Sequence, residues 1–178
     1  MVGTGRAQGL CHAVPVEAAD EADVQRLSMT VLMTPDMANF QGNVHGGTLL
    51  KLLDQVAYTC ASRYAGAYAV TLSVDRVVFR EPVHVGELVT FLASVNYTGR
   101  TSMEIGIRVT TEDLLDRTVR HTNSSYFTMV ALDGDRRPVP VPTWQPHTDV
   151  QHRRHTAAQR RRELRRELER READIRQS

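Results

Sequence analysis

The stretch "GNVHGGTLLKLLDQVAYTCASRYAG", Gly42–Gly66, decides the fold of this chain. It opens on turn-forming residues and then runs into an apolar pattern with helical spacing. At ~100° per residue, Leu49, Leu50, Leu53, Ala57, Cys60 and Ala61 share one broad face. Lys51, Gln55 and Ser62 lie opposite, and Gly66 is a good C-terminal stop. Such a helix needs a sheet to lie on. One carboxylate, Asp54, stands at the border of its apolar face.

The flanking sequence supplies that sheet. Upstream, "LSMTVLMT" (Leu27–Thr34) reads as a first strand, and "PDMANFQGN" as a loop in which Pro35, Asn39, Gly42 and Asn43 form turns. Downstream of Gly66 the period changes to two. "YAVTLSVDRVVF" alternates Val70, Leu72 and Val74 against Thr71, Ser73 and Asp75, with a bulge expected at Arg76–Val78. "EPVHVGE" turns the chain. "LVTFLASVNYTGRTSMEIGIRVTTED" then makes two long strands around Thr98–Gly99–Arg100, with Met103, Ile105, Ile107 and Val109 facing inward. "DRTVRHTNSSYFTMVALD" is the last strand, and the prolines of "GDRRPVPVP" take the chain out of the sheet. The fold class is therefore α+β: one long helix on an antiparallel sheet of about five strands. One helix covers one face, so the other face and the strand edges invite a partner chain.

A chain of 178 residues with 41% hydrophobic content suits one domain with tails. A net charge of +1 gives no general electrostatic case for nucleic acid or an anionic membrane. Two cysteines, Cys11 and Cys60, are too few for a disulfide framework. No apolar run approaches the ~18 residues of a membrane span, and the first residues hold no continuous apolar segment of a secretory leader. A cytoplasmic protein is expected. Residues 1–22 read as a mobile tail, 23–145 as the folded domain and 146–178 as a linker followed by a charged helix. That helix carries ten arginines against five acids in 151–178. Pairs such as Arg165–Glu169 and Glu167–Arg171 suit a solvated or loosely docked helix, with an oligomer contact or an anionic partner as the other readings.

Asn43, Gly46 and Gly47 place free backbone N–H groups at the helix start, a site for an electron-rich oxygen. Asp54 lies seven residues beyond Gly47, near the same azimuth and about 10 Å along the axis at ~1.5 Å per residue. Two copies with antiparallel helices would bring the start of one helix to the middle of the other. The bland readings are that the glycines serve only the turn and that Asp54 pairs with Lys51. His45 is a turn residue or a ligand contact; alone it makes a poor metal site, and no metal is expected.

Taken together, "NVHGGTLLKLLD", "VTLSVDRVVFREPVHVGELV" and "VNYTGRTSMEIGIRV" closely resemble the hotdog-fold acyl-CoA thioesterases, in the acyl-CoA hydrolase branch that includes single-domain bacterial enzymes. The resemblance spans roughly 29–142. It implies a long helix wrapped by the sheet and a homodimer joined edge to edge through its sheets. It also implies active sites at that interface and assembly into a hexamer, a trimer of dimers. It matches Asn43 and Asp54 to the family's catalytic pair, one from each protomer. Asp54 would act as general base or nucleophile, Asn43 would orient water or the carbonyl, and N–H groups near Gly46 and Gly47 would bind the oxyanion. It further implies that His45 and the edge strand Val78–Phe79–Arg80 border the substrate. Arg100, Thr101 and Ser102 would approach the nucleotide of coenzyme A, while Leu50, Leu53, Ala57 and Tyr58 would line the acyl chain. The substrate would be a fatty acyl-CoA, with no cofactor beyond the coenzyme A it carries, no nucleic acid and no membrane insertion. Two rivals remain: a hotdog dehydratase or hydratase of 3-hydroxyacyl thioesters, for which His45 lacks a matching acid, and an acyl-CoA-binding regulatory module.

Overall fold

The computed structural model describes residues 24–79 and 81–177. The expected tail over 1–22 and the contact assigned to Arg80 lie outside them. Strand β1 (Arg26–Leu32) leads through a 3₁₀ turn at Pro35–Met37 into helix α1 (Gly46–Ala65). Strands β2 (Tyr68–Val74), β3 (Leu88–Thr98), β4 (Ser102–Glu112) and β5 (Val119–Leu132) follow, and helix α2 (Asp149–Gln177) ends the chain. The sheet order is β1-β3-β4-β5-β2, with every neighbouring pair antiparallel.

Helix α1 lies across the inner face of this sheet. Its buried residues are Leu49, Leu53, Val56, Ala57, Cys60 and Ala61, so the helical spacing gave the face correctly except at Leu50, which is exposed, and at Val56, which it left out and which is fully buried. They meet Phe91, Ile105, Ile107, Phe127 and Met129, all within 2% of full burial. Side chains of this size each stabilise the fold by about 1.5–3 kcal/mol when buried. Gly66 ends the helix in the left-handed region at φ 62°, where a Cβ would add strain.

Two expectations about β2 need correction. No bulge occurs at Arg76–Val78; the register with β5 slips instead between Thr71 and Ser73, and the strand stops at Val74. Val78 and Phe79 are consequently not part of an edge strand within the chain. The reason is that β5 offers a side chain there in place of a ladder: Asn123 Nδ2 donates to the Val78 carbonyl at 2.8 Å.

The outer face of the sheet differs in part from expectation: the first half of α2 is docked on it, while the helix from Leu168 onward is exposed as the charge pattern suggested. Thr148 and Gln151 form a reciprocal cap at its start: Thr148 Oγ1 accepts from the Gln151 N–H and Gln151 Oε1 from the Thr148 N–H at 3.0 Å. Ala158 is fully buried against the sheet. Beyond it, Glu104 of β4, 2% exposed, accepts from Arg161 Nη2 at 2.7 Å and Arg165 Nη2 at 3.1 Å. Arg165 reaches on to Asp75 at 2.7 Å, and the Arg161 guanidinium covers the Tyr126 ring at 3.6 Å. A charge that strand alternation sends outward is thus covered by two arginines arriving from ~60 residues away.

Candidate active site

The loop before α1 is tied by its own side chains. Asn39 Oδ1 accepts from the Gln41 N–H at 2.9 Å and the Asn43 N–H at 3.2 Å, while the Asn39 N–H donates to the Asn43 carbonyl. This leaves the Asn39 side-chain NH₂ fixed in direction with no partner among the described residues. Asn43 pairs through its backbone with His84, and Val44 donates to the Val83 carbonyl at 2.7 Å. The Asn43 side chain makes no hydrogen bond among the described residues.

His45 caps α1. Its Nδ1 accepts from the Gly47 N–H at 2.9 Å, which fixes the proton on Nε2 and occupies the Gly47 donor. The free N–H at the helix start is therefore that of Gly46. Phe79 packs there, its ring at ordinary contact distance, 3.6 Å, from where a Gly46 Cβ would stand. His45, Gly46 and Phe79 thus share the helix start.

Asp54 stands on the open side of the helix. Leu50, Asp54 and Tyr58, at i, i+4 and i+8, form an exposed stripe, and Tyr58 meets Tyr68 of β2 edge-on at 5.9 Å. Leu53 and Ala57 are fully buried in the protomer core, so only Leu50 and Tyr58 of the four expected acyl contacts face outward. Asp54 makes no ion pair with Lys51. Its Oδ1 accepts a short hydrogen bond, 2.6 Å, from Thr71 Oγ1 on β2. Thr71 escaped the sequence reading because a threonine on an alternating strand has no mark of function; the 2.6 Å contact is what singles it out.

β2 is an edge of the sheet, so the carboxylate sits beside a row of strand groups unpaired among the described residues. Tyr68 and Leu72, more than half exposed, lie along that edge. The hairpin Arg100–Ser102 is elsewhere. It closes the far end of β3, about 33 Å along the strand from the Glu87–Leu88 end that adjoins Asn43. One protomer does not bring Arg100, Thr101 and Ser102 to the helix start. Cys60 is no nucleophile: burial pushes its thiol up to about 12 against the weaker pull of Arg63. Among the described residues no group of three His, Cys, Asp or Glu could hold a metal ion, and no helix is long and apolar enough to cross a membrane.

Residues 41–117, which hold α1 and strands β2–β4, match the thioesterase superfamily. Protein VdlD of Helicobacter pylori is 51% identical over 146 residues, which span 82% of this chain and 83% of that protein.

The chain belongs to the thioesterase superfamily.

Within it the fold and its solved neighbours are those of the hotdog acyl-CoA thioesterases, thioester hydrolases. An apo-hexameric acyl-CoA thioesterase is 35% identical, covering 81% of this chain and 92% of its own, with a TM-score of 0.78. The acyl-CoA hydrolase of Staphylococcus aureus is 32% identical, covering 84% and 91%, with a TM-score of 0.77; it was solved with butyryl coenzyme A, coenzyme A and coenzyme A disulfide. Variants of that hydrolase with an aspartate, an asparagine or a threonine replaced by alanine have also been solved, the asparagine variant with coenzyme A. In that thioesterase the asparagine precedes the aspartate by 15 residues and the threonine follows it by 17. Asn39, Asp54 and Thr71 have the same spacing here.

Proposed function

We propose that this thioesterase hydrolyses fatty acyl-CoA to free acid and coenzyme A, with Asp54 supplying the base or nucleophile at an interface between two protomers. The observation that carries this reading is the Asp54–Thr71 hydrogen bond at an unpaired sheet edge. A carboxylate held at 2.6 Å by a hydroxyl, on an exposed stripe with Leu50 and Tyr58, is placed for a second chain and a substrate rather than for its own core. Edge-to-edge pairing through β2 would cover Tyr68 and Leu72 and bring the α1 start of one protomer toward Asp54 of the other. Hexamers among the solved relatives support a trimer of such dimers.

The chemistry follows from the groups available. Asp54 takes a proton from water or attacks the thioester carbonyl directly. The Gly46 N–H donates to the developing oxyanion. For the amide, the reading favours Asn39 over Asn43. The Asn39 carbonyl oxygen is tied to two backbone N–H groups, so its NH₂ is held ready as a donor, and its distance from Asp54 matches that of the asparagine replaced in the S. aureus hydrolase. His45, Val78, Phe79 and Arg80 would border the pantetheine arm. Arg100, Thr101 and Ser102, remote within one protomer, would reach the nucleotide only from another chain. Water, a carboxylate and oxyanion donors suffice, so no cofactor is proposed.

The test is thiol release from a panel of acyl-CoAs by wild type, Asp54→Asn, Asn39→Ala and Asn43→Ala. Asp54→Asn should lower kcat by ~100-fold or more, and Asn39→Ala should cost more than Asn43→Ala. Equal rates for wild type and Asp54→Asn would end the assignment. Consumption of crotonyl-CoA by hydration, without thiol release, would favour the hydratase reading.

A further inference from the structure

The arginines of the first half of α2 have no place in this chemistry. From Val150 to Arg162 the helix carries Arg153, Arg154, Arg160, Arg161 and Arg162 and no acid; its acids are Asp149 at the first position and those from Glu163 onward. That half lies over the outer face of the sheet, across β3–β5 from α1 and Asp54. Between helix and sheet runs a cleft of about 270 Å³. Arg108, Arg153, Arg154 and Arg161 line it with Ser94 and Ser124, and no acidic residue does.

The four guanidinium groups are not equivalent. Arg161 is a fixed wall, held by Glu104 and laid over Tyr126. Arg154 is steadied by one hydrogen bond, Nη1 to Ser94 Oγ at 3.2 Å, and its other donors have no partner among the described residues. Arg108 stands on β4 between Leu92 and Ser124, its cross-strand neighbours. Neither Arg108 nor Arg153 has a hydrogen bond or ion pair among the described residues. Like charges gathered in one cleft repel, and that repulsion is relieved by an anion with several oxygens for the guanidinium forks. The volume corresponds to about nine waters at ~30 Å³ each, more than one oxyanion fills.

We propose that this cleft is a binding site for a small anion carrying two or more phosphate groups, separate from the acyl-CoA site. Arg108 and Arg153 supply the free forks and Arg154, steadied on Ser94, a pre-set one; the Ser94 hydroxyl donates to Asn96 Oδ1, so the neutral group beside the forks is Ser124, whose Oγ meets His121 Nε2 at 2.9 Å. The Arg161 guanidinium occupies one face of Tyr126, so recognition falls on the phosphates rather than on a stacked base. The small volume favours a small molecule over a duplex, whose backbone would also meet Glu163, Glu167 and Glu169 farther along the helix.

Calorimetric titration of the full-length protein with inorganic pyrophosphate, at ionic strength held constant with chloride, tests this without reference to thioesterase activity. The expected result is saturable binding, weakened at least tenfold in Arg108→Gln/Arg153→Gln, a variant whose exposed side chains carry no part of the core. Displacement of pyrophosphate by ATP would mark a nucleotide as the source of the phosphates, and displacement by coenzyme A would mark the reaction product acting at a second site. Absence of saturable binding, or equal affinity in the variant, overturns the proposal. So does duplex DNA binding that the variant abolishes while pyrophosphate does not bind.

Discussion

Replacing Glu104 by glutamine should undock α2 while leaving the helix–sheet core folded. The glutamate is 2% exposed and accepts from two arginines, each about one-fifth exposed. Removing one partner of a fully buried pair costs roughly 3–5 kcal/mol, because the remaining charge is left without compensation. Here the arginines keep some water, and Arg165 keeps Asp75, so the cost falls to about 2–3 kcal/mol. For a domain of this size each kcal/mol lowers Tm by roughly 2–4 °C, which gives a drop of about 4–12 °C if helix and core melt together. Hydrogen exchange locates the effect: amides of α2 after Ala158 should lose protection while those of β3–β5 retain theirs. The double variant Glu104→Met/Arg161→Met removes both an unpaired charge and its partner, and should recover at least half of the loss. Unchanged Tm and unchanged exchange in α2 for Glu104→Gln would refute the claim that this ion cluster anchors the helix.

Two further outcomes follow from the same geometry. Thr71→Val keeps the shape of β2 and removes the donor to Asp54. A hydrogen bond to a charged group is worth about 1.5–3 kcal/mol, so kcat should fall at least about tenfold with KM within twofold; an unchanged kcat would show that Thr71 does not position the carboxylate. Burial pushes the Glu87 carboxyl up, but the Arg120 hydrogen bond and ion pair and the His84 N–H outweigh it and hold it below its ordinary 4.5. A depressed carboxyl stabilises the fold above its unfolded value and loses that contribution as pH falls through the folded one. The Tm gap between wild type and Glu87→Gln should therefore be constant above about pH 5 and shrink as pH falls below 4.5; a gap undiminished at pH 3 contradicts this.

The helix and the strand order were legible because both rest on periodicity, which the residues display directly. Leu49 through Ala61 mark one helical face, and Met103, Ile105, Ile107 and Val109 one sheet face. The end of β2 was not legible for a definite reason. Val77, Val78 and Phe79 have the β propensity of a strand, and nothing local reveals that Asn123, 45 residues on from Val78, takes the hydrogen bond a ladder would have made. Glu104 and the arginines of α2 failed for the same reason at longer range. Each looks like a solvated charge in its own window, and only the tertiary fold joins them.

The site divides along the same line. Asp54 stood out because a carboxylate at the border of an apolar face conflicts with its surroundings, and it was the resemblance to the thioesterases that made it a catalytic candidate. Thr71 and Asn39 break no local rule. A threonine belongs on a strand and an asparagine belongs in a turn, so each keeps its secondary-structure role while lending one polar group elsewhere: the hydroxyl to Asp54, the free amide to the mouth of the loop. Gly47 shows the converse. A glycine before a helix suggests an open N–H, yet the neighbouring His45 takes that donor as a cap and leaves Gly46 as the free one. Which backbone groups remain available to a substrate is therefore settled by which side chains have already satisfied the fold, and that allocation needs three dimensions to read.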